Sequence, residues 1–287
     1  MLTNKELAEL KLFAKQIRYD ALLAINAAGF GHVGGSLSMA DLISLLYGRI
    51  MRYDPQNPKM EERDWLITSK GHAGPAVYAA LAEKEFFPKQ WLLTMNQPGT
   101  RLPSHTDRIL TPGIDMTTGS LGQGLSLAVG AALAFKIDKK PNRVFCIVGD
   151  GESQEGQIWE AVMYAAQQNL GNLTLFIDDN GMQIDGVTGK INNMQDYVER
   201  FKGFNWDAVE VDGHDFDMLN DAIERSSLIS DKPTAVIMRT IKGKGWDHAV
   251  KLGIACHSMH MHPGDLDGVL NEMELEIQAD RKKLLGE

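Results

Sequence analysis

An aspartate and an asparagine, each ending an apolar run, are the residues best placed to do chemistry. Val144 to Val148 stops at Gly149-Asp150-Gly151, and Leu173 to Ile177 stops at Asp178-Asp179-Asn180. Asp150 and Asn180 offer hard oxygen ligands from two loops, as Mg²⁺ or Ca²⁺ requires, with positions left for phosphate oxygens. Gly151 admits a close backbone approach, and amides opening the next helix favour an anion. A lone Gly-Asp-Gly reads more readily as a tight turn with a capping aspartate. The second oxygen cluster, one strand–helix–strand unit later, favours a metal-and-phosphate site.

Histidines form the second set. Gly31-His32 and Gly71-His72 sit in glycine-rich turns, His105 lies in a long irregular stretch, and His257, His260 and His262 cluster near the carboxyl end. One such histidine is usually structural, capping backbone carbonyls. The spacing of the last three suits zinc locally, but no other Cys/His cluster completes a four-ligand site, so an active-site loop is preferred.

The elements that must hold these residues alternate. Strand, helix and strand over 144–177 imply a right-handed crossover joining parallel strands, with Asp150 and Asn180 at neighbouring carboxyl ends. Further strands at Asp64–Ser69, Ala208–Val211 and Thr234–Met238, with a helix over 218–228, predict an α/β fold: a parallel β-sheet flanked by helices on both faces. Thr3-Asn4-Lys5-Glu6 fits a capping box opening a helix to about Ala28. Ser36 or Ser38 is expected to cap the next helix, and alanine-rich and apolar helices are expected over 76–85 and 125–135. Residues 98–124 are mainly irregular, which is uncommon in a compact domain unless functional. A charged helix over 266–285 ends the chain, which reads as one domain over 1–287.

The 287 residues are 44% hydrophobic and 23% charged, with a net charge of −9. That balance argues against nucleic acid as a partner, which calls for a basic face. The apolar runs fall short of the ~20 residues that cross a bilayer, and no basic-then-apolar leader opens the chain. Two cysteines make no disulfide framework; Cys146 reads as a core residue and Cys256 as a less favoured reactive thiol. The expected setting is cytoplasmic.

Taken together, the motifs resemble the N-terminal, diphosphate-binding half of the transketolase family. They are Gly31-His32 with Gly35-Ser-Leu-Ser38, Ser69-Lys-Gly-His72-Ala, Ser104-His105, Thr111-Pro-Gly, Thr118-Gly-Ser-Leu-Gly-Gln-Gly124, Gly149-Asp-Gly-Glu-Ser-Gln-Glu-Gly156, Asp178-Asp-Asn180 and Lys242-Gly-Lys-Gly245. The resemblance spans nearly the whole chain. It implies that Asp150, Asn180 and the Met182 carbonyl hold Mg²⁺ or Ca²⁺ on the phosphates of thiamine diphosphate. Gly151 and His72 would contact the diphosphate, and Gly119 and Leu121 would lie against the rings. His32, His105 and His260 would face the donor sugar, with His257 close by; His257 or His262 would replace His260 if the register shifts. Glu155 and Glu160 resemble acidic residues that link two active sites across a dimer.

The resemblance departs at Val33, where the family often has proline, and beyond Glu287. The family's pyrimidine-binding domain, whose glutamate activates the cofactor, would come after this segment. The expectation is therefore a split transketolase: this chain as the α-type subunit, inactive alone, in an α₂β₂ complex with a second chain, moving a two-carbon ketol unit from a ketose or ketose phosphate donor to an aldose acceptor. The alternatives are other thiamine chemistry, as in 2-oxoacid dehydrogenases or acyloin synthases, and a non-catalytic, cofactor-binding subunit.

Overall fold

The computed structural model describes every residue except Pro263 and Glu287. Its elements, in chain order, are α1 (Asn4–Ala28), β1 (Phe30–Gly31), α2 (Gly34–Ser38), α3 (Ala40–Leu45), β2 (Trp65–Thr68), α4 (Gly74–Glu83), α5 (Gln123–Ile137), β3 (Val144–Gly149) and α6 (Gly156–Gln167). Next come β4 (Leu173–Asp179), β5 (Met182–Gln183), β6 (Gly186–Val187), α7 (Thr188–Ile191), α8 (Tyr197–Gly203), β7 (Asp207–Asp212), α9 (Phe216–Ser227), β8 (Thr234–Arg239), α10 (Asp247–Leu252), β9 (Met259–His260) and α11 (Asp267–Leu285).

Five strands form one parallel sheet in the order β2-β3-β4-β8-β7. Successive residues of a strand point to opposite faces, and here both faces are covered. Phe145 and Ile147 of β3 join the core under α1, α3, α4 and α9, while Val144, Cys146 and Val148 join the core under α5, α6 and α8. This is why the central strands are continuous apolar runs without polar alternation. Register places Gly149 opposite Asp178 and Asp178 opposite Met238, so the loops after β3, β4 and β8 leave the sheet side by side.

The capping box is present: Thr3 accepts from the Glu6 amide and the Glu6 carboxylate accepts from the Thr3 amide. Neither Ser36 nor Ser38 is an N-cap, which corrects the expectation for that turn. Val33 is already helical in backbone, so α2 begins at Gly34 and both serines lie within it. Their hydroxyls point elsewhere: Ser36 Oγ donates to the His32 carbonyl at 2.7 Å and Ser38 Oγ to Asp178 at 2.6 Å. Helix α11 packs on α1 through buried Leu270 and Ile277, with Lys15 bridging Glu276 and Asp280 at 2.9 and 2.7 Å. No helix among the described residues is long and apolar enough to cross a membrane.

Candidate active site

The carboxyl ends of β2, β3, β4 and β8 open into a pocket of about 380 Å³, lined by Asp150, Gly151, Asn180 and Met182 together with His32, His72, His105 and His257. Loops that are far apart in sequence reach it because parallel strands end on the same side.

At its floor lies a buried polar lattice. Lys70, carried by the turn after β2, donates from Nζ to the Gly35 carbonyl at 2.8 Å and pairs with Asp178, and both side chains are almost fully enclosed. Asp178 also accepts from Ser38 and Thr240. Burial alone would raise its pKa, but Lys70 and these donors hold the carboxyl below its usual range. Glu152, equally buried, accepts from Ser69 and from the amides of Gly122 and Gly149, at 3.0 and 3.1 Å for the amides, tying three loops together. Lys70, Glu152 and Asp178 stand inside the family motifs, but nothing local in the sequence marks them for a role. A lysine or glutamate reads as surface until its covering is known.

Asp150 faces the cavity in a different state. Thr188 Oγ1 donates to its Oδ2 at 2.7 Å and the Gly151 amide to its Oδ1 at 2.9 Å, but no cationic side chain pairs with it among the described residues. Burial, reinforced by Asp178 and Asp179, pushes its carboxyl up to about 6. Such a group gains from a nearby cation. Asn180 Oδ1 accepts from the Met182 amide at 3.2 Å, and the Met182 carbonyl accepts from Lys242 Nζ at 3.0 Å. One carboxylate, one amide oxygen and one carbonyl form a hard donor set suited to Mg²⁺ or Ca²⁺. No group of three His, Cys, Asp or Glu among the described residues is arranged to hold a metal, so the zinc reading of His257, His260 and His262 falls.

Close backbone approach is built in. A Cβ on Gly151 would stand 2.7 Å from Gln183 Cβ, and Gly119, at φ +142°, lies against the His105 ring. Leu121 is 40% exposed at the pocket rim. Both glycines are required by packing against Gln183 and His105, and both line the pocket; with the hard oxygen donors of Asp150, Asn180 and Met182 beside them, the residues present fit thiamine diphosphate and its metal.

The histidine rings meet over this floor. His32 lies 5.0 Å from His72, 5.7 Å from His105 and 5.4 Å from His257, centroid to centroid. All are held below the ordinary imidazole range, chiefly by burial: His72 to about 2, with Lys70 adding to it, and His257 to about 4, with Lys242 adding. Lys242, itself lowered by burial, lies 3.3 Å from His257 Nδ1. Where that lysine is the donor, His257 Nδ1 must accept and Nε2 carries the hydrogen.

His260 is placed elsewhere. Strand β9 pairs antiparallel with β1, setting His260 opposite Phe30 with ring centroids 4.8 Å apart, and its side chain is exposed outside the pocket lining. Exposed His262 also lies outside that lining. Glu155 lines the rim, whereas Glu160 is exposed one turn further along α6 and does not. Cys256 is buried and its thiol is pushed up, and Cys146 is a core residue pushed up further, so neither is a ready thiolate.

Fold and pocket together define a thiamine diphosphate-binding α/β domain. Residues 10–267 match the transketolase thiamine diphosphate binding domain. The chain is 46% identical over 273 residues to a 6-deoxy-6-sulfo-D-fructose transketolase subunit of Clostridium sp. strain MSTE9, covering 95% of this chain and 99% of that one. It is 36% identical over 250 residues to one subunit of the apulose-4-phosphate transketolase of Phocaeicola vulgatus, covering 84% and 89%. Among solved structures, the transketolase of Campylobacter jejuni superposes with a TM-score of 0.86 at 27% identity, over 99% of this chain and 46% of that one. The chain thus spans about half the length of that enzyme and nearly all of the two subunits. It belongs to the transketolase family, as the thiamine diphosphate-binding part of a transketolase-type transferase.

Proposed function

We propose that this chain is the cofactor-binding subunit of a two-chain transketolase, which moves a two-carbon ketol unit from a ketose to an aldose and is active only with its partner. The observation that carries this reading is the convergence of His32, His72, His105 and His257 on the pocket floored by Asp150 and Asn180. Asp150, Asn180 and the Met182 carbonyl would hold the divalent cation, His72 and Lys242 would face the diphosphate, and the Gly151 amide, which donates to Asp150 Oδ1 in this structure, would join them once the cation takes that oxygen. The chemistry thiamine diphosphate supplies when bound is an electron sink for breaking a carbon–carbon bond beside a carbonyl.

This chain's own residues then orient sugar and manage protons. His32, His105 and His257, neutral near pH 7, can each accept or donate at a sugar hydroxyl. Ser104 Oγ lies 3.0 Å from His105 Nδ1, fixing the ring and leaving its other nitrogen for the substrate. Gly119 and Leu121, which line the pocket, would exclude water beside the cofactor when it is bound. Glu155, at the N-cap of α6, and Glu160 within that helix are both exposed and face the partner in an α₂β₂ assembly. We read 1–287 as one domain and its setting as cytoplasmic.

The sulfo-fructose and apulose-4-phosphate names of the two subunit relatives support a donor ketose carrying an anionic group. The test is to assay the purified chain with thiamine diphosphate, Mg²⁺ and ketose phosphate, with and without a candidate pyrimidine-domain chain. Ketol transfer is expected only from the mixture. Transfer by the chain alone would refute the two-chain reading, and carbon dioxide release from pyruvate would replace transferase with 2-oxoacid chemistry.

A further inference from the structure

A second cavity, of about 750 Å³, opens beside Trp65, the first residue of β2, and so lies toward the amino end of the edge strand rather than the carboxyl end that forms the active-site pocket. Its charge runs against the chain's net −9. Lys59, Arg63, Arg101, Arg108 and Lys140 line it with only two acids, Glu61 and Asp115. Arg63 pairs with Asp115 and Lys140 with Glu61, which leaves Lys59, Arg101 and Arg108 without an ion-pair partner among the described residues; Arg101 lies over the Trp91 ring at 5.3 Å, and Arg108 is close enough to Asp115 to help hold down its carboxyl.

The arginines are the informative part. Every other arginine of the chain donates to a protein oxygen. The guanidinium groups of Arg101 and Arg108 make no hydrogen bond or ion pair among the described residues, and both line this one cavity. Arg63 adds a separate sign: its side chain is 6% exposed, and its Nε is buried without a partner.

The backbone carrying these groups is tied down. Thr111 Oγ1 donates to the Arg101 carbonyl, the Thr111 amide to the Asp107 carbonyl at 3.1 Å, the Arg108 amide to Thr117 Oγ1 at 3.1 Å, and Arg63 to the Gly113 carbonyl at 3.1 Å. The walls are apolar, with Trp65 and Phe135 meeting edge to face at 5.3 Å. Planar guanidinium forks match phosphate oxygens, and an aromatic wall suits an organic body attached to them.

We infer that this cavity is a second anion site, separate from the cofactor pocket, and that it takes a phosphate monoester with an organic group, held between Arg101 and Arg108 against the Trp65 wall. His105 lies between these two arginines in sequence, so one loop serves both sites.

The test titrates the full chain at low ionic strength with inorganic phosphate and with phenyl phosphate, following the arginine Nε–Hε signals by NMR and heat by calorimetry. Saturable shifts of Arg101 and Arg108 are expected, with phenyl phosphate tighter than inorganic phosphate. R101Q/R108Q is expected to weaken phenyl phosphate binding about tenfold or more, the scale of losing charge-assisted hydrogen bonds. R108E, which removes no side-chain hydrogen bond of the folded chain, should do the same with an unchanged melting temperature. Lys242→Gln, in the other pocket, should leave this binding intact. The site is refuted if neither arginine signal shifts saturably, if either variant binds like wild type, or if Lys242→Gln abolishes binding.

Discussion

The rings of His32 and His257 meet edge to face, with centroids 5.4 Å apart and planes at 89°. This contact puts His257 inside the pocket while β9 turns His260 away against Phe30. Proton transfer by a positioned side chain contributes about 10²–10⁴-fold. His257→Ala in the reconstituted enzyme should therefore lower kcat by about 10²-fold or more, and His260→Ala by much less. Steady-state kinetics of the two variants decide it; the reverse order would assign the role to His260.

Asp150 is a buried carboxylate without a cationic partner among the described residues. Asp150→Ala should abolish metal-dependent thiamine diphosphate binding, seen by calorimetry with and without Mg²⁺, while the far-ultraviolet circular dichroism stays unchanged. Binding at wild-type strength would remove Asp150 from the site.

Lys70 has a different burden, because its partner Asp178 is fully enclosed. Removing one member of a buried pair leaves an uncompensated charge and costs about 3–5 kcal/mol. Lys70→Met should show that loss in urea unfolding, beyond any effect on cofactor. A change within ordinary surface scatter, about 0.5 kcal/mol, would contradict the buried pairing with Asp178.

Acid should act through the histidines. The unfolded chain protonates each imidazole at its ordinary value of 6.5, whereas folded His257 waits until about 4 and His72 until about 2. Between those values the unfolded state binds more protons, so stability falls as pH drops from 6.5 toward 4, and for His72 on toward 2. Asp150 opposes this between 3.8 and about 6, where the folded state binds the extra proton. Melting temperatures of wild type and His257→Gln across that range should diverge, the variant losing part of the acid slope. Imidazole NMR should show His72 neutral at about pH 5, well above its folded value; a His72 signal titrating at the ordinary 6.5 would refute its burial.

Much of this was legible in the chain. Apolar runs ending in Gly-Asp-Gly and Asp-Asp-Asn announced strands β3 and β4 and the oxygens at their ends, because a strand buried on both faces leaves no polar alternation to confuse the reading. The capping box at Thr3 is a local signal and appears as read. The turn after His32 is not local in this way. Ser36 and Ser38 have cap chemistry, but Ser38 is claimed by Asp178, 140 positions away.

The sequence by itself determined the kinds of group available, their delivery to strand ends and the family they resemble. Only the tertiary structure decided which of them meet. Lysine in a Ser-Lys-Gly-His turn looks solvated until Gly35 and Asp178 close over it, and His-x-x-His spacing cannot say which ring turns inward. Burial and pairing depend on what packs from distant segments, and that fixes the partner of Lys70, the neutrality of His72 and His257, and the readiness of Asp150 for a cation.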